Sequence, residues 1–176
     1  MNTVALWITG LPGSGKSAIA DGLQARHPAF VVLRMDELRR IITPEPTYSD
    51  AERDIVYRSL VCLAKNLADL GHSVIIDATG NLRKWRSLAR ELIPAYAEVY
   101  LKCPVEVCRE REQKRKETRG APRDIYRKAE QGWPVPGVHA PYEEPVNPEI
   151  VIDAAVATVE DTVRAIDAYL SEKSQK

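Results

Sequence analysis

The chain has 176 residues, enough for one domain with a sizeable core, since domains most often run to about 100–150 residues and commonly to 200. Its charges balance, 25 Lys and Arg against 25 Asp and Glu, which removes the general electrostatic reason to hold a nucleic acid. No stretch approaches the ~20 consecutive apolar residues that a membrane span needs, so neither nucleic acid nor membrane is an expected partner.

Short apolar runs alternate with longer stretches of helical period along the chain. The first run, beginning Val4-Ala5-Leu6-Trp7-Ile8, predicts a strand over 4–9; no basic region or cleavage site precedes it, so no signal peptide is expected. A glycine-rich turn leads into a predicted helix over 17–26, followed by a strand over 29–33 and a long helix over 50–70. Next come a strand over 73–77, a helix over 83–92, a strand over 98–101 and a helix over 105–118. Residues 120–148 carry Pro122, Pro134, Pro136, Pro141, Pro145 and Pro148 and read as an ordered but mobile excursion. A strand over 150–152 and a helix over 158–171 close the series. That last helix opens with Thr158 and Asp161 in a capping-box arrangement and places Val159, Val163, Ile166 and Leu170 on one stripe. The glycine-rich turn over 10–17, set between the first strand and the first helix, makes the expected fold class α/β of the P-loop NTPase type: a three-layer sandwich, with a five-stranded parallel sheet flanked by helices and a mobile lid. All 176 residues are expected in one domain, with the lid and its neighbouring excursion over 111–148. Cys62, Cys103 and Cys108 are odd in number and lack metal-ligand spacing, which predicts buried or half-buried free thiols and a cytoplasmic protein.

The strongest chemical signal is Gly10-Leu11-Pro12-Gly13-Ser14-Gly15-Lys16-Ser17, which matches G-x-x-x-x-G-K-[ST] at every fixed position, directly after a strand and directly before a helix. Glycines let the backbone turn its N–H groups toward phosphates, and the helix N-terminus adds partial positive charge. Lys16 is then expected at the β- and γ-phosphates of ATP, and the Ser17 hydroxyl on Mg²⁺. Asp77 ends an apolar strand at the sheet edge where ligands of open α/β folds bind, which suits a carboxylate that holds Mg²⁺ through water or meets the substrate; capping of the next turn is its plain alternative.

From Asp36 to Asp153 the chain resembles the adenylylsulfate kinase family. The segment Gly137-Val-His-Ala-Pro-Tyr142-Glu-Glu-Pro-Val-Asn147-Pro-Glu-Ile-Val-Ile-Asp153 is similar to its GI-x-x-PYE-x-P-x-NPE-V-V-D signature. Tyr48-Ser-Asp-Ala-Glu-Arg53 resembles its FS-x-x-DR, Arg83-Lys84 with Arg86 resembles its YRKDR, and the stretch from Cys103 to Arg111 resembles its P-x-EV-x-x-x-RD. That resemblance implies transfer of the γ-phosphate of ATP to the 3′-hydroxyl of adenosine 5′-phosphosulfate. It implies Asp36 as the base, with Lys16 and Arg111 completing the catalytic set, and Arg39 and Arg53 as substrate anchors. Arg111, Arg115 and Arg119 recur at intervals of four and would line one face of a helix leading into the lid, with Arg111 and Arg115 at the ATP phosphates. A solvated charge face is the alternative.

Departures gather on the acceptor side. Arg34-Met35-Asp36-Glu37 stands where the family has D-G-D-N, so a base replaces the first acid. Val56 replaces a substrate-binding asparagine, and Asp77-Ala-Thr-Gly-Asn81 replaces SFISP. Trp133-Pro-Val-Pro136 replaces the segment whose phenylalanine stacks on the acceptor adenine, so Trp133 is either its substitute or a packing residue. The segment from Asp77 to Arg83 also resembles D-x-T-N-x-x-x-x-R in another group of small P-loop kinases. Three functions therefore stay open: adenylylsulfate kinase, a related kinase with another hydroxyl acceptor, and an ATP-binding regulator. Kinases of this kind are often dimers, which leaves a homodimer open.

Overall fold

The computed structural model describes residues 3–174. Every residue of β1 (Ala5–Thr9) is buried, as a continuous apolar run at the centre of a parallel sheet should be. β1 lies between β3 (Val74–Asp77) and β4 (Tyr96–Lys102), while β2 (Val31–Arg34) and β5 (Ile150–Asp153) form the edges. All four pairings are parallel, in the order β2-β3-β1-β4-β5.

Side chains alternate across β1 and so divide the core in two. Leu6 and Ile8 pack with Ile19 and Leu23 of α1 (Lys16–Arg26) and with Val163 and Ile166 of α7 (Val159–Ser174). Trp7 packs on the opposite face with Val56, Tyr57 and Leu60 of α3 (Asp50–Asp69) and Trp85 of α4 (Arg83–Leu92). Helix, sheet and helix layers follow from that alternation. After β1 the chain builds β2 and β3 on one side, then crosses to β4 and β5 on the other. The carboxyl end of β1 is thus the switch point, where open α/β sheets form their ligand crevice.

The five expected strands and the five expected helices are present, with shifted ends. The second strand ends at Arg34 and leads without a loop into a helix outside the predicted segments, α2 (Met35–Ile42). Its apolar positions Met35, Leu38 and Ile42 face the core at helical spacing, and acids in the first turn with arginines in the last complement the helix dipole. α5 (Val105–Lys114) is shorter than the predicted 105–118, because Arg115 turns extended and Arg119 takes a left-handed φ of 44°. Arg111, Arg115 and Arg119 therefore do not share one helical face. The proline-rich excursion contains a short helix, α6 (Ile125–Ala129), whose Tyr126 and Ala129 are buried in the core.

The capping box at α7 is reciprocal: Asp161 N donates to Thr158 Oγ1 at 3.1 Å and Thr158 N to Asp161 Oδ2 at 3.4 Å. The cysteines are free; Cys103 and Cys108 are buried, whereas Cys62 is exposed on α3 and departs from the burial expected of it. Among the described residues no helix is long and apolar enough to cross a membrane.

Candidate active site

A cleft of about 420 Å³ opens at the carboxyl ends of β1, β2 and β3. One wall is the glycine-rich loop. A Cβ on Gly13 would sit 2.3 Å from the Cys108 carbonyl oxygen, so only glycine lets the loop pass over α5. The Tyr126 hydroxyl donates to Pro12 O at 2.7 Å and holds the loop from beneath. Lys16 Nζ donates to Gly10 O at 3.0 Å and Leu11 O at 2.9 Å, folding its side chain back along the loop. Burial pulls the Lys16 ammonium below its ordinary value, against the opposing charges of Asp77 and Asp36. Pro12, Gly13, Gly15, Lys16 and Ser17 line the cleft; Gly10, Leu11 and Ser14 shape the loop from behind, with Leu11 packed beneath Gly137.

Two carboxylates form the floor: Asp36 in the first turn of α2 and Asp77 at the end of β3. Burial first, and then the neighbouring Asp77 charge, pushes the Asp36 carboxyl above its ordinary value. Asp77 accepts from Arg34 Nη1 at 3.0 Å.

The opposite wall is tied together by side chains from distant segments. Arg39 donates to Glu52 at 2.6 Å and lies 5.0 Å from the centre of the Tyr48 ring. Tyr48 and Trp133 rings meet at 5.1 Å, tilted by 45°. Arg53 donates from Nε to Tyr48 O at 3.0 Å and from Nη2 to Pro134 O at 2.6 Å. The sequence reading passed over Glu52, the hub of this wall. Its carboxylate accepts from Arg39, from the Thr47 backbone N–H and hydroxyl, and from Tyr48 N at 3.1 Å. A signal was present, because Ser49 and Glu52 have capping-box spacing and Ser49 Oγ accepts from Glu52 N. The carboxylate does not reach back to Ser49; it gathers the preceding loop instead and holds Tyr48 at a left-handed φ of 56°.

The arginines of the expected lid are engaged with protein. Arg111 donates to Ala154 O at 2.6 Å and Ala155 O at 3.4 Å, which docks it on the turn after β5 at the cleft margin. Arg115 donates to Pro122 O at 2.7 Å and pairs with Glu112 at 3.3 Å. Arg119 pairs with Asp21 on α1. All three line the cleft, so the 115–121 segment roofs it without the shared helical face.

The signature segment is a strap fixed to the sheet and to α4. Asn81 Nδ2 donates to Pro141 O at 3.0 Å, Glu143 N donates back to Asn81 O at 2.8 Å, and the Tyr142 hydroxyl bonds Thr9 Oγ1 at 3.0 Å. Buried Arg86 donates to Glu143 O at 2.5 Å and pairs with Glu98 at 3.0 Å. That strap brings residues 133–136 to the mouth of the cleft.

The family model described as adenylylsulphate kinase matches residues 2–153. The chain belongs to the adenylylsulphate kinase family. A probable adenylyl-sulfate kinase of Halalkalibacterium halodurans is 33% identical over 97% of this chain and 84% of that protein. The adenylyl-sulfate kinase of Bacillus pumilus is 32% identical over 97% of the chain and 86% of its own length. The Mycobacterium tuberculosis APS kinase CysC, solved with AMPPNP and APS, superposes with a TM-score of 0.82 at 29% identity, covering 97% of this chain and 98% of that one.

Proposed function

We propose that this cleft transfers the γ-phosphate of Mg-ATP to the 3′-hydroxyl of adenosine 5′-phosphosulfate, giving 3′-phosphoadenosine 5′-phosphosulfate and ADP. One observation carries the reading: Lys16, Asp36 and the Arg39, Tyr48, Arg53 and Trp133 wall line a single cavity. A phosphate-binding loop, a buried acid, and an aromatic pair flanked by arginines thus share one space, as in-line transfer to an adenosine derivative requires.

In this reading the backbone of residues 10–17 and Lys16 hold the transferring phosphates. The donor set also suits a divalent cation, since the Ser17 hydroxyl and the Asp77 carboxylate face the same cavity; bound there, Mg²⁺ would neutralise phosphate charge. Asp36 accepts the proton of the acceptor 3′-hydroxyl as that oxygen bonds to the γ-phosphorus and the bond to the ADP oxygen breaks. Its raised carboxyl is a stronger base than an exposed one, and positioned bases are worth roughly 10²–10⁴ in rate. Tyr48 and Trp133 offer faces for the acceptor base, and Arg39 and Arg53 border its anionic group. Arg111 and Arg115 line the nucleotide side and complete the charge around the phosphates.

A second reading has its own support. Arg34 and the Trp133-Pro-Val-Pro136 segment change the acceptor side and leave the loop intact, as a kinase with another hydroxyl acceptor would. ADP release from Mg-ATP with adenosine 5′-phosphosulfate, beside a no-acceptor control, separates the two. Acceptor-dependent release supports the proposal; release at the control rate, with ATP binding demonstrated, rejects this acceptor.

A further inference from the structure

Arg34 has no part in the transfer described above, yet it sits beside its floor. It ends β2 in register with Asp77 at the end of β3. It does not line the cleft, and its side chain is only 12% exposed. Its guanidinium meets three carboxylates: Nη1 lies 3.0 Å from Asp77 Oδ2, Nη2 lies 2.5 Å from Asp21 Oδ1, and Nε lies 3.7 Å from the exposed Glu37 Oε1. Asp21 belongs to α1, the helix that opens with Lys16 and Ser17, and its other oxygen takes Arg119 from the roof. The roof is also seated by Arg40 Nη2, which donates to Gly120 O at 3.1 Å. A row of alternating charge, Asp77, Arg34, Asp21 and Arg119, therefore runs from floor to roof.

We propose that Arg34 is a positioning residue that couples the Asp77 carboxylate on the cleft floor to closure of the 115–121 segment through Asp21. A guanidinium presents a planar fork of donors and can bridge two carboxylates, whereas a lysine ammonium is a single point of charge. With Arg34 in place, ordering Asp77 and docking Arg119 favour the same arrangement, so each makes the other easier. Without it, Asp77 and Asp21 keep their negative charges with no shared cation, and the roof loses its link to the floor. Coupling of this kind is reciprocal, so a Mg-nucleotide held at the floor draws the roof down. The proposal rests on the Mg-ATP reading of the loop and is independent of the acceptor.

Trypsin cleavage within residues 115–121 reads the roof directly, because the substitutions tested leave Arg115, Lys116 and Arg119 in place. Arg34→Gln and Asp21→Asn are each expected to raise that cleavage rate in the nucleotide-free protein about fivefold or more, while thermal melts show the fold retained. Arg34→Lys is expected to behave like Arg34→Gln. The second measurement is the Mg²⁺ concentration that half-saturates the melting shift given by AMPPNP. Asp21 lies outside the cleft lining, yet Asp21→Asn is expected to move that concentration by about fivefold. Wild-type cleavage rates in both variants overturn the proposal. So does a roof opened by Asp21→Asn with the Mg²⁺ requirement unchanged, which would leave Asp21 a simple tether for Arg119. Should Arg34→Gln fail to fold, Asp21→Asn carries both readouts. A wild-type protein with no melting shift would reject the nucleotide reading instead, and the cleavage rate of Arg34→Gln, which leaves the Arg119–Asp21 pair in place, would then decide the coupling.

Discussion

On the side of the cleft proposed for the phosphates one unbroken stretch, Gly10 to Ser17, supplies the loop, the lysine and the hydroxyl; on the side proposed for the acceptor Arg39, Tyr48, Arg53 and Trp133 arrive from separate segments. The first is shaped by backbone, through glycine conformations that other residues resist and a carbonyl pinned by Tyr126. The second is shaped by side-chain bonds: Glu52 gathers Arg39, Thr47 and Tyr48, and Arg53 ties Tyr48 O to Pro134 O beside Trp133. A backbone-built wall keeps its form when one side chain is lost. A wall held by one carboxylate loosens as a unit, and it can change with few substitutions while the nucleotide side stays as it is.

Six substitutions, at five positions, and a pH profile test that contrast. Lys16→Ala is expected to remove transfer entirely, and turnover near the wild-type rate in that variant would end the phosphate-loop assignment. Asp36→Asn is expected to lower kcat by roughly 10²–10⁴ with the nucleotide-induced melting shift intact. Because burial and Asp77 raise the Asp36 carboxyl, the kcat/KM profile of the wild type is expected to fall at acid pH with an apparent value above the ordinary carboxylate range. The acid limb should vanish in the residual activity of Asp36→Asn. The same shift bears on folding with the opposite sense. The contribution of Asp36 to stability is greatest where it is protonated and declines as pH rises from the ordinary carboxylate value through the raised one.

Trp133→Ala is expected to raise the acceptor KM about tenfold or more, since stacking on a base contributes about 1–3 kcal/mol, with the ATP KM unmoved. Glu52→Gln should raise the acceptor KM by about tenfold by slackening Arg39 and Tyr48 together, and Glu52→Asp should lie closer to wild type. An equal rise in the ATP KM in either variant would show that the two walls are not independent. Thr158→Ala, on α7 and away from both, should cost about 1 kcal/mol of stability by loss of the cap and leave both KM values alone.

What the sequence discloses follows the same division. Strands β1 and β3 announce themselves because central parallel strands are apolar until their last residue, and the loop because its residues are contiguous; β4 is interrupted by Glu98, which hid Tyr96 and Ala97 from the expected strand. α2 carried a readable stripe in Met35, Leu38 and Ile42, but its direct junction with β2 hides the boundary between the two periods. α6 has five residues, too few to show a period, and depends on Tyr126 finding the core and Pro12. Arg111, Arg115 and Arg119 have helical spacing, yet Arg115 turns away to Pro122 and Arg119 to Asp21, partners no local pattern reveals. Arg34 stood out as a base in an acidic place. Its bridging of Asp77 and Asp21 depends on strand register and on a helix that sequence spacing does not orient.

The strap has a consequence for how the protein is made. Thr9 and Tyr142 are 133 positions apart, and Tyr126 reaches Pro12 across 114. The nucleotide loop leaves the ribosome before β4 and the strap, yet β4 must pair beside β1 and the strap must close over Thr9 before its surroundings exist. Contacts so distant along the chain are slow to form, because closure of the long loop comes before any gain from the contact. A growing chain that already carries Lys16 and Ser17 is therefore expected to hold no nucleotide until residues past Glu143 have emerged, so that ligand capture waits on the strap.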